Sequence, residues 1–136
     1  MLESIKKNYD IRNTPPEQIG PLKLAYLGDA VYELIIRTIL MDERDRSVKK
    51  MNKTAQTLVN ATTQARLAEI IEPSLTETEN SVFLRGRNTK TTSVSKHSDI
   101  HDYRIATGLE ALFGYWYLSW QTERAVELLK EALDKL

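Results

Sequence analysis

Apolar residues recur at three- and four-residue steps along most of this chain. No stretch keeps the strict alternation of a half-buried strand, so the pattern predicts an all-α fold of about seven helices. The most apolar segment runs from Pro21 to Leu40, where Leu24, Leu27, Val31, Leu34, Ile35 and Ile39 predict a helix to about Met41 with a wide buried face. Before it, Thr14-Pro15-Pro16-Glu17 joins a capping residue, prolines suited to a first turn and a glutamate, predicting a short helix that Gly20-Pro21 ends. The charged run Asp42 to Arg46 reads as a loop. Ser47 then caps a third helix to about Asn60, with Val48, Met51, Ala55, Leu58 and Val59 inward and its lysines outward. Thr62 or Thr63 opens a fourth, carrying Ala65, Leu67, Ala68, Ile70 and Ile71 and closed by Pro73. Thr76-Glu77-Thr78-Glu79 is a capping box for a fifth, with Val82, Phe83 and Leu84, which frays near Gly86. Past a loop, Ile105, Leu109, Leu112, Phe113, Trp116 and Tyr117 predict a helix from Asp99 to about Trp120, and Thr122 caps a last one to Leu136.

With 136 residues, 41% of them hydrophobic, residues 1–136 are expected to form a single domain with one core. No apolar run approaches the roughly 18 residues of a membrane span, and Met1 to Asp10 lacks the apolar stretch of a signal peptide, so a cytoplasmic location is expected. The absence of cysteine excludes disulfides and thiolate metal sites. Formal net charge is zero, yet charge is segregated. Arg44, Arg46, Lys49, Lys50, Lys53 and Arg66 face only Asp45 across their stretch, and Arg85 to Ser98 holds Arg85, Arg87, Lys90 and Lys96 with no acid, among hydroxyl residues and Asn88. That mixture of cations and neutral donors suits phosphate oxygens.

One residue breaks the apolar pattern of the long second helix. Asp29 follows Gly28 at its centre, and a carboxylate there needs a cation, a donor set or a cleft rim, because an uncompensated buried charge is costly. Glu110 is the same anomaly inside Leu109-Glu110-Ala111-Leu112-Phe113. If the two helices pack together, the acids meet. Two oxygen donors without cysteine describe a hard-cation site, most simply Mg²⁺ with Mn²⁺ as a substitute, held by few side chains and several waters. Such an ion polarises a phosphodiester and acidifies an attacking water. His97 and His101 lie four apart, but no third or fourth zinc ligand is evident.

These residues also resemble a family. Leu24-Ala25-Tyr26-Leu27-Gly28-Asp29-Ala30-Val31 resembles the signature helix of ribonuclease III, and Thr107-Gly108-Leu109-Glu110-Ala111-Leu112-Phe113-Gly114 resembles its second acidic motif. Together with Arg85-Gly86-Arg87-Asn88, the Ser/Thr/Lys loop and Tyr103-Arg104, the likeness is closest to the Mini-III ribonucleases, which are the catalytic domain without a double-stranded-RNA-binding domain. The resemblance implies that Asp29 and Glu110 are catalytic and hold Mg²⁺. It implies a homodimer in which the two signature helices pack across a two-fold axis, where Gly28 is expected to allow close approach. It also implies cleavage of duplex RNA to 5′-phosphate and 3′-hydroxyl ends, in maturing the large-subunit (23S-type) ribosomal RNA precursor, with a ribosomal protein as a candidate partner. The larger ribonuclease III pattern carries two more acids, where this chain has Ala25 and Thr107, a departure that resembles the Mini-III branch and puts a second metal in question.

Expected RNA contacts are Lys49, Lys50, Lys53, Arg85, Arg87, Asn88, Lys90 and Lys96; in isolation the three helix lysines also read as a solvated face. Glu33, Tyr103 and Thr107 are candidates for a supporting role around the acids, with Glu33 equally readable as solvated or paired at an interface. Tyr115, Trp116, Tyr117 and Trp120 fit core or dimer packing better than a base-stacking platform. The resulting expectation is a Mg²⁺-dependent endoribonuclease for double-stranded RNA. Ala25 and Thr107 motivate a second reading, a catalytically weak RNA-binding or ribosome-assembly module of the same fold. A helical protein-interaction domain would leave the Arg85 to Ser98 composition unexplained.

Overall fold

The computed structural model describes residues 1–42, 47–89 and 99–136. Among them are seven α-helices: α1 (Leu2–Asn8), α2 (Pro21–Leu40), α3 (Val48–Val59), α4 (Ala61–Ile71), α5 (Glu77–Asn88), α6 (Ile100–Leu118) and α7 (Thr122–Asp134). Short 3₁₀ turns cover Pro16–Gln18 and Glu72–Ser74, and no strand occurs among the described residues, as the all-α pattern requires. None of the described helices is long and apolar enough to cross a membrane.

Helix α6 is the axis of the core, with α2, α4 and α5 packed around it. Every residue from Ile105 to Tyr117 is buried except Glu110. Two glycines set how closely α2 lies on it. A Cβ added to Gly28 would overlap the Glu110 carbonyl and stand 2.7 Å from the Gly114 nitrogen, and one added to Gly114 would overlap the Leu24 carbonyl. This is backbone-on-backbone packing that no larger residue permits. The close approach expected of Gly28 at a two-fold axis is thus made inside the chain, against α6. A second crossing joins α5 to α6, where a Cβ on Gly86 would meet Gly108 Cα at 2.9 Å. Gly86 therefore does not fray α5, which runs through it to Asn88.

Several boundaries and faces differ from the sequence pattern. The buried stripe of α2 is Leu24, Ala25, Gly28, Val31, Tyr32, Ile36 and Leu40, whereas Leu34 is 53% exposed and Ile39 is exposed as well. An all-round apolar helix leaves its phase ambiguous. The charged residues Asp29, Glu33 and Arg37, at four-residue steps, are what mark its outer side. Val48, placed inward by the pattern, is the first residue of α3 and is 75% exposed. Asn60 caps α4 by accepting from the Thr63 amide at 2.8 Å, one or two residues earlier than the threonines suggested. Thr122 is the first residue of α7 rather than its cap, and Gln121 before it makes no side-chain capping bond. Helix α1 has no counterpart in the sequence pattern, since only Leu2 and Ile5 give its two turns an apolar side.

The far end of the core is held by a buried acid. Glu79, 2% exposed, accepts from Trp116 Nε1 at 2.6 Å, from Arg124 Nη2 at 2.7 Å and from the Thr76 amide at 2.8 Å, and so ties α5 to α6 and α7. The capping box foreseen at Thr76 and Glu79 is present and carries this added load. Burial pushes the Glu79 carboxyl up, but the hydrogen bonds from Arg124, Thr76 and Trp116 outweigh it and hold it at about 2. From Trp116 the core continues edge-to-face through Phe113, with centroids 5.3 Å apart, to Tyr32, 5.2 Å further on. The Tyr32 hydroxyl donates to the Leu58 carbonyl and fastens the last turn of α3 to α2.

Helix α6 ends in a Schellman motif: the Gln121 amide donates to Trp116 at 2.7 Å and the Trp120 amide to Tyr117 at 3.3 Å. The motif demands a left-handed residue, and here it is Trp120 at φ 62, the one non-glycine with positive φ among the described residues. That conformation costs an L-residue about 1–2 kcal/mol.

Gly28→Ala should destabilise the fold by about 3 kcal/mol or more, read from urea unfolding, because the added methyl meets backbone that cannot yield. Glu79→Gln should lower stability by about 3 kcal/mol at pH 7, since it leaves Arg124 without its charge partner. The depressed Glu79 pKa means that this stabilisation is present above the unfolded carboxylate value and disappears as pH falls toward about 2. Wild type and Glu79→Gln should therefore converge in thermal midpoint on acidification, and a constant gap would refute the assignment.

Candidate active site

The α2–α6 crossing decides which side chains meet. With Gly28 pressed on the Glu110 backbone, the next residue, Asp29, has its carboxyl within hydrogen-bonding reach of the Glu110 side chain. Asp29 is exposed and Glu110 half-buried, so the pair forms a step at the protein surface with one acid open to solvent and the other behind it. Burial, then the hydrogen bond to Asp29 and its negative charge, push the Glu110 carboxyl up to about 8. Near neutral pH Glu110 therefore keeps its proton.

Tyr32 stands one turn past Asp29 on the same helix. Burial, followed by the Glu110 charge, raises its phenol. It lies near enough to feel the Glu110 charge, and sequence reasoning missed it. The signal was available in the three-residue step from Asp29, but an apolar neighbourhood made Tyr32 one aromatic among many. The positions where the larger pattern has acids are filled otherwise. Ala25 is buried beside the crossing, and Thr107 is buried with its hydroxyl donating to the Tyr103 carbonyl at 2.9 Å. Tyr103 is half-buried one turn before Thr107. Glu33 binds Arg37 at 2.6 Å along the outer side of α2.

The donor set suits a small hard cation. No group of three or more His, Asp or Glu side chains gathers among the described residues, so a cation at this point would find two carboxylates from the protein. Two acids that cannot both ionise comfortably are what a divalent ion relieves.

The basic residues fall into separate groups. Lys49, Lys50 and Lys53 are exposed on α3. Arg85 and Arg87 lie on the last turn of α5 rather than in a loop, as does Asn88. Arg85 turns toward the N-terminal segment, its Nη2 donating to the Glu17 carbonyl at 2.7 Å. Arg87 bonds Asn88 at 3.2 Å, and a Cβ on Gly108 would stand 3.3 Å from the Arg87 amide nitrogen. The Gly86–Gly108 crossing thus carries the end of α5 to within two residues of Glu110 along α6. Lys90, Lys96 and His97 lie outside the described residues. Of the four aromatics near the end of α6, Tyr115, Trp116 and Tyr117 are buried in the core and Trp120 is 60% exposed.

The raised Glu110 carboxyl has a stability consequence in metal-free protein. The fold holds a proton that the unfolded chain releases at the ordinary carboxylate value, so stability falls as pH rises from there through about 8. Glu110→Gln should remove that slope and stabilise metal-free protein at pH 9 by ~2 kcal/mol, with little change at pH 4. Differential scanning calorimetry in a chelator measures both points.

The ribonuclease III domain model matches residues 22–121, which include both acids. The chain is 45% identical to Mini-ribonuclease 3 of Clostridium tetani over 87% of its own length and 79% of the relative. It is 42% identical to Mini-ribonuclease 3 of Symbiobacterium thermophilum, over 91% of this chain and 95% of that one. A crystal structure of a Fusobacterium nucleatum protein superposes with a TM-score of 0.77 at 30% identity, covering 87% of this chain and 94% of the other. The chain belongs to the ribonuclease III family, in its Mini-ribonuclease 3 branch.

Proposed function

We propose that this endoribonuclease cuts both strands of duplex RNA at a centre built from Asp29 and Glu110, with Mg²⁺ as the resident ion and Mn²⁺ as a substitute. The observation that carries the reading is the forced pairing of two acids, which lifts Glu110 to about 8 and leaves a site short of positive charge. Asp29 and Glu110 would hold the ion through one oxygen or more each. The bound ion supplies positive charge to the scissile phosphate and acidifies water. Asp29, exposed, would face the substrate; Glu110, behind it, would lose its proton to bulk water when an ion is held there. Thr107, with its donor spent on Tyr103, offers lone pairs only, which suits orienting a water more than binding phosphate.

Duplex RNA is read through shape, phosphates and 2′-hydroxyls. Arg87 and Asn88, at the end of α5, supply donors near the acids, Lys49, Lys50 and Lys53 a second line along α3, and Lys90 and Lys96 are proposed as further contacts on their charge alone. Arg85 supports this surface by holding the Glu17 segment as well as lending charge. Binding that rests on phosphate contacts falls steeply with salt. Two cuts on opposite strands call for two centres, and α2 suits a two-fold contact: Tyr26 is 85% exposed, with Ala30, Leu34 and the Glu33–Arg37 pair alongside. The family is one that acts on double-stranded RNA and typically dimerises. The substrate we infer is the large-subunit ribosomal RNA precursor in the cytoplasm, with a ribosomal protein as a candidate partner.

Cleavage of a defined duplex tests the centre. Wild type should cut both strands with Mg²⁺, and Asp29→Asn and Glu110→Gln should each slow cutting by about three orders of magnitude or more while the proteins stay folded. Calorimetric titration at pH 7 should register close to one proton released per Mg²⁺ bound, lost in Glu110→Gln. Binding of duplex without cutting, across Mg²⁺ and Mn²⁺ concentrations, would favour the weak-binding module that Ala25 and Thr107 suggest.

A further inference from the structure

We propose that Trp120 is an anchor for a second copy of this chain, extending the dimer surface from α2 to the end of α6 and coupling a strained helix cap to association. The proposal rests on the reading of α2 as the dimer face. The Schellman ending of α6 needs a left-handed residue at position 120, a place where glycine is unstrained. Tryptophan there is strained, and it is also 60% exposed, so the folded chain neither relaxes its backbone nor covers its ring. Trp116, one turn earlier, shows the contrast: it is fully buried and hydrogen-bonded to Glu79.

What surrounds Trp120 points to the occupant. It borders a recess of about 320 Å³ whose floor is buried Leu2, Val31 and Tyr117, and whose rim is exposed Met1, Leu34 and Trp120 itself. No charged side chain lines this recess, and beside the terminal amino group of Met1 its lining is apolar but for Thr122, a poor match to a phosphate backbone. Leu34 belongs at once to the rim and to the outer side of α2, so the recess continues the face assigned to the dimer. On a two-fold interface each such feature is used twice, and a large aromatic at the edge of an apolar patch is the kind of side chain that dominates association. The proposal requires effects of opposite sign from one substitution: Trp120→Gly eases the cap and removes the anchor.

The test combines sedimentation velocity over a concentration series with acrylamide quenching of tryptophan emission, on wild type, Trp120→Gly and Tyr26→Asp. The expected result is a wild-type dimer in which Trp120 becomes protected from acrylamide as it forms. Trp120→Gly should raise the dimer Kd about tenfold or more, while its monomer melts above the wild-type monomer. A wild type that stays monomeric throughout overturns the proposal together with the dimer reading of α2. A wild-type dimer that Tyr26→Asp dissociates and Trp120→Gly leaves within about twofold in Kd overturns the anchor alone. Protection of Trp120 by duplex RNA in the Tyr26→Asp monomer would give the recess to RNA, and overturns it too.

Discussion

The close crossing of α2 on α6 is the constraint on which the rest depends. Gly28 and Gly114 let two backbones touch where side chains would ordinarily hold helices 8–10 Å apart. Contact at that range fixes rotation as well as distance, because a helix resting on its own main chain cannot roll without a clash. Residue 29 therefore has one neighbour, and that neighbour is residue 110. A longer spacer at either glycine would leave both carboxylates on the protein and remove the site.

Around this crossing the molecule is braced by groups of different kinds. Tyr32 bonds α3 to α2, its ring packs on Phe113, Phe113 on Trp116, and Trp116 donates to Glu79, which Arg124 neutralises. The series runs from beside the acid pair through the core to α7. It braces the acid pair against the rest of the core along the length of α6.

Much of this was legible in the sequence, for identifiable reasons. Asp29 and Glu110 stand out because a charge within an apolar helical run is rare, and the Thr76–Glu79 box because its spacing is specific. The helices from Pro21 onward were readable from period and caps. What failed was phase and partnership. Leu34 and Ile39 were placed inside because α2 is apolar all round, and the orientation lies in the weaker signal of Asp29, Glu33 and Arg37. Gly28 was seen to permit a close approach, but a sequence does not say to what. Arg85 looked like a free phosphate contact until the fold supplied Glu17, sixty-eight residues away. Glu79 read only as half of a capping box, because the residues that bury it, Trp116 and Arg124, are distant in sequence.

Glu79 and Glu110 together show how such a site can be recognised without a ligand. Both are glutamates on helices packed in one core, and burial pushes both carboxyls up. Around Glu79 the fold adds a guanidinium, an indole N–H and a backbone N–H, and the group settles at about 2. Around Glu110 it adds another carboxylate, and the group stands at about 8. The first environment is complete within the chain, so its role is structural. The second gains no positive partner among the described residues, and the fold holds it in that state through the same glycine contact that sets the helix crossing. A buried acid whose partners are missing from the protein marks where something else must bind.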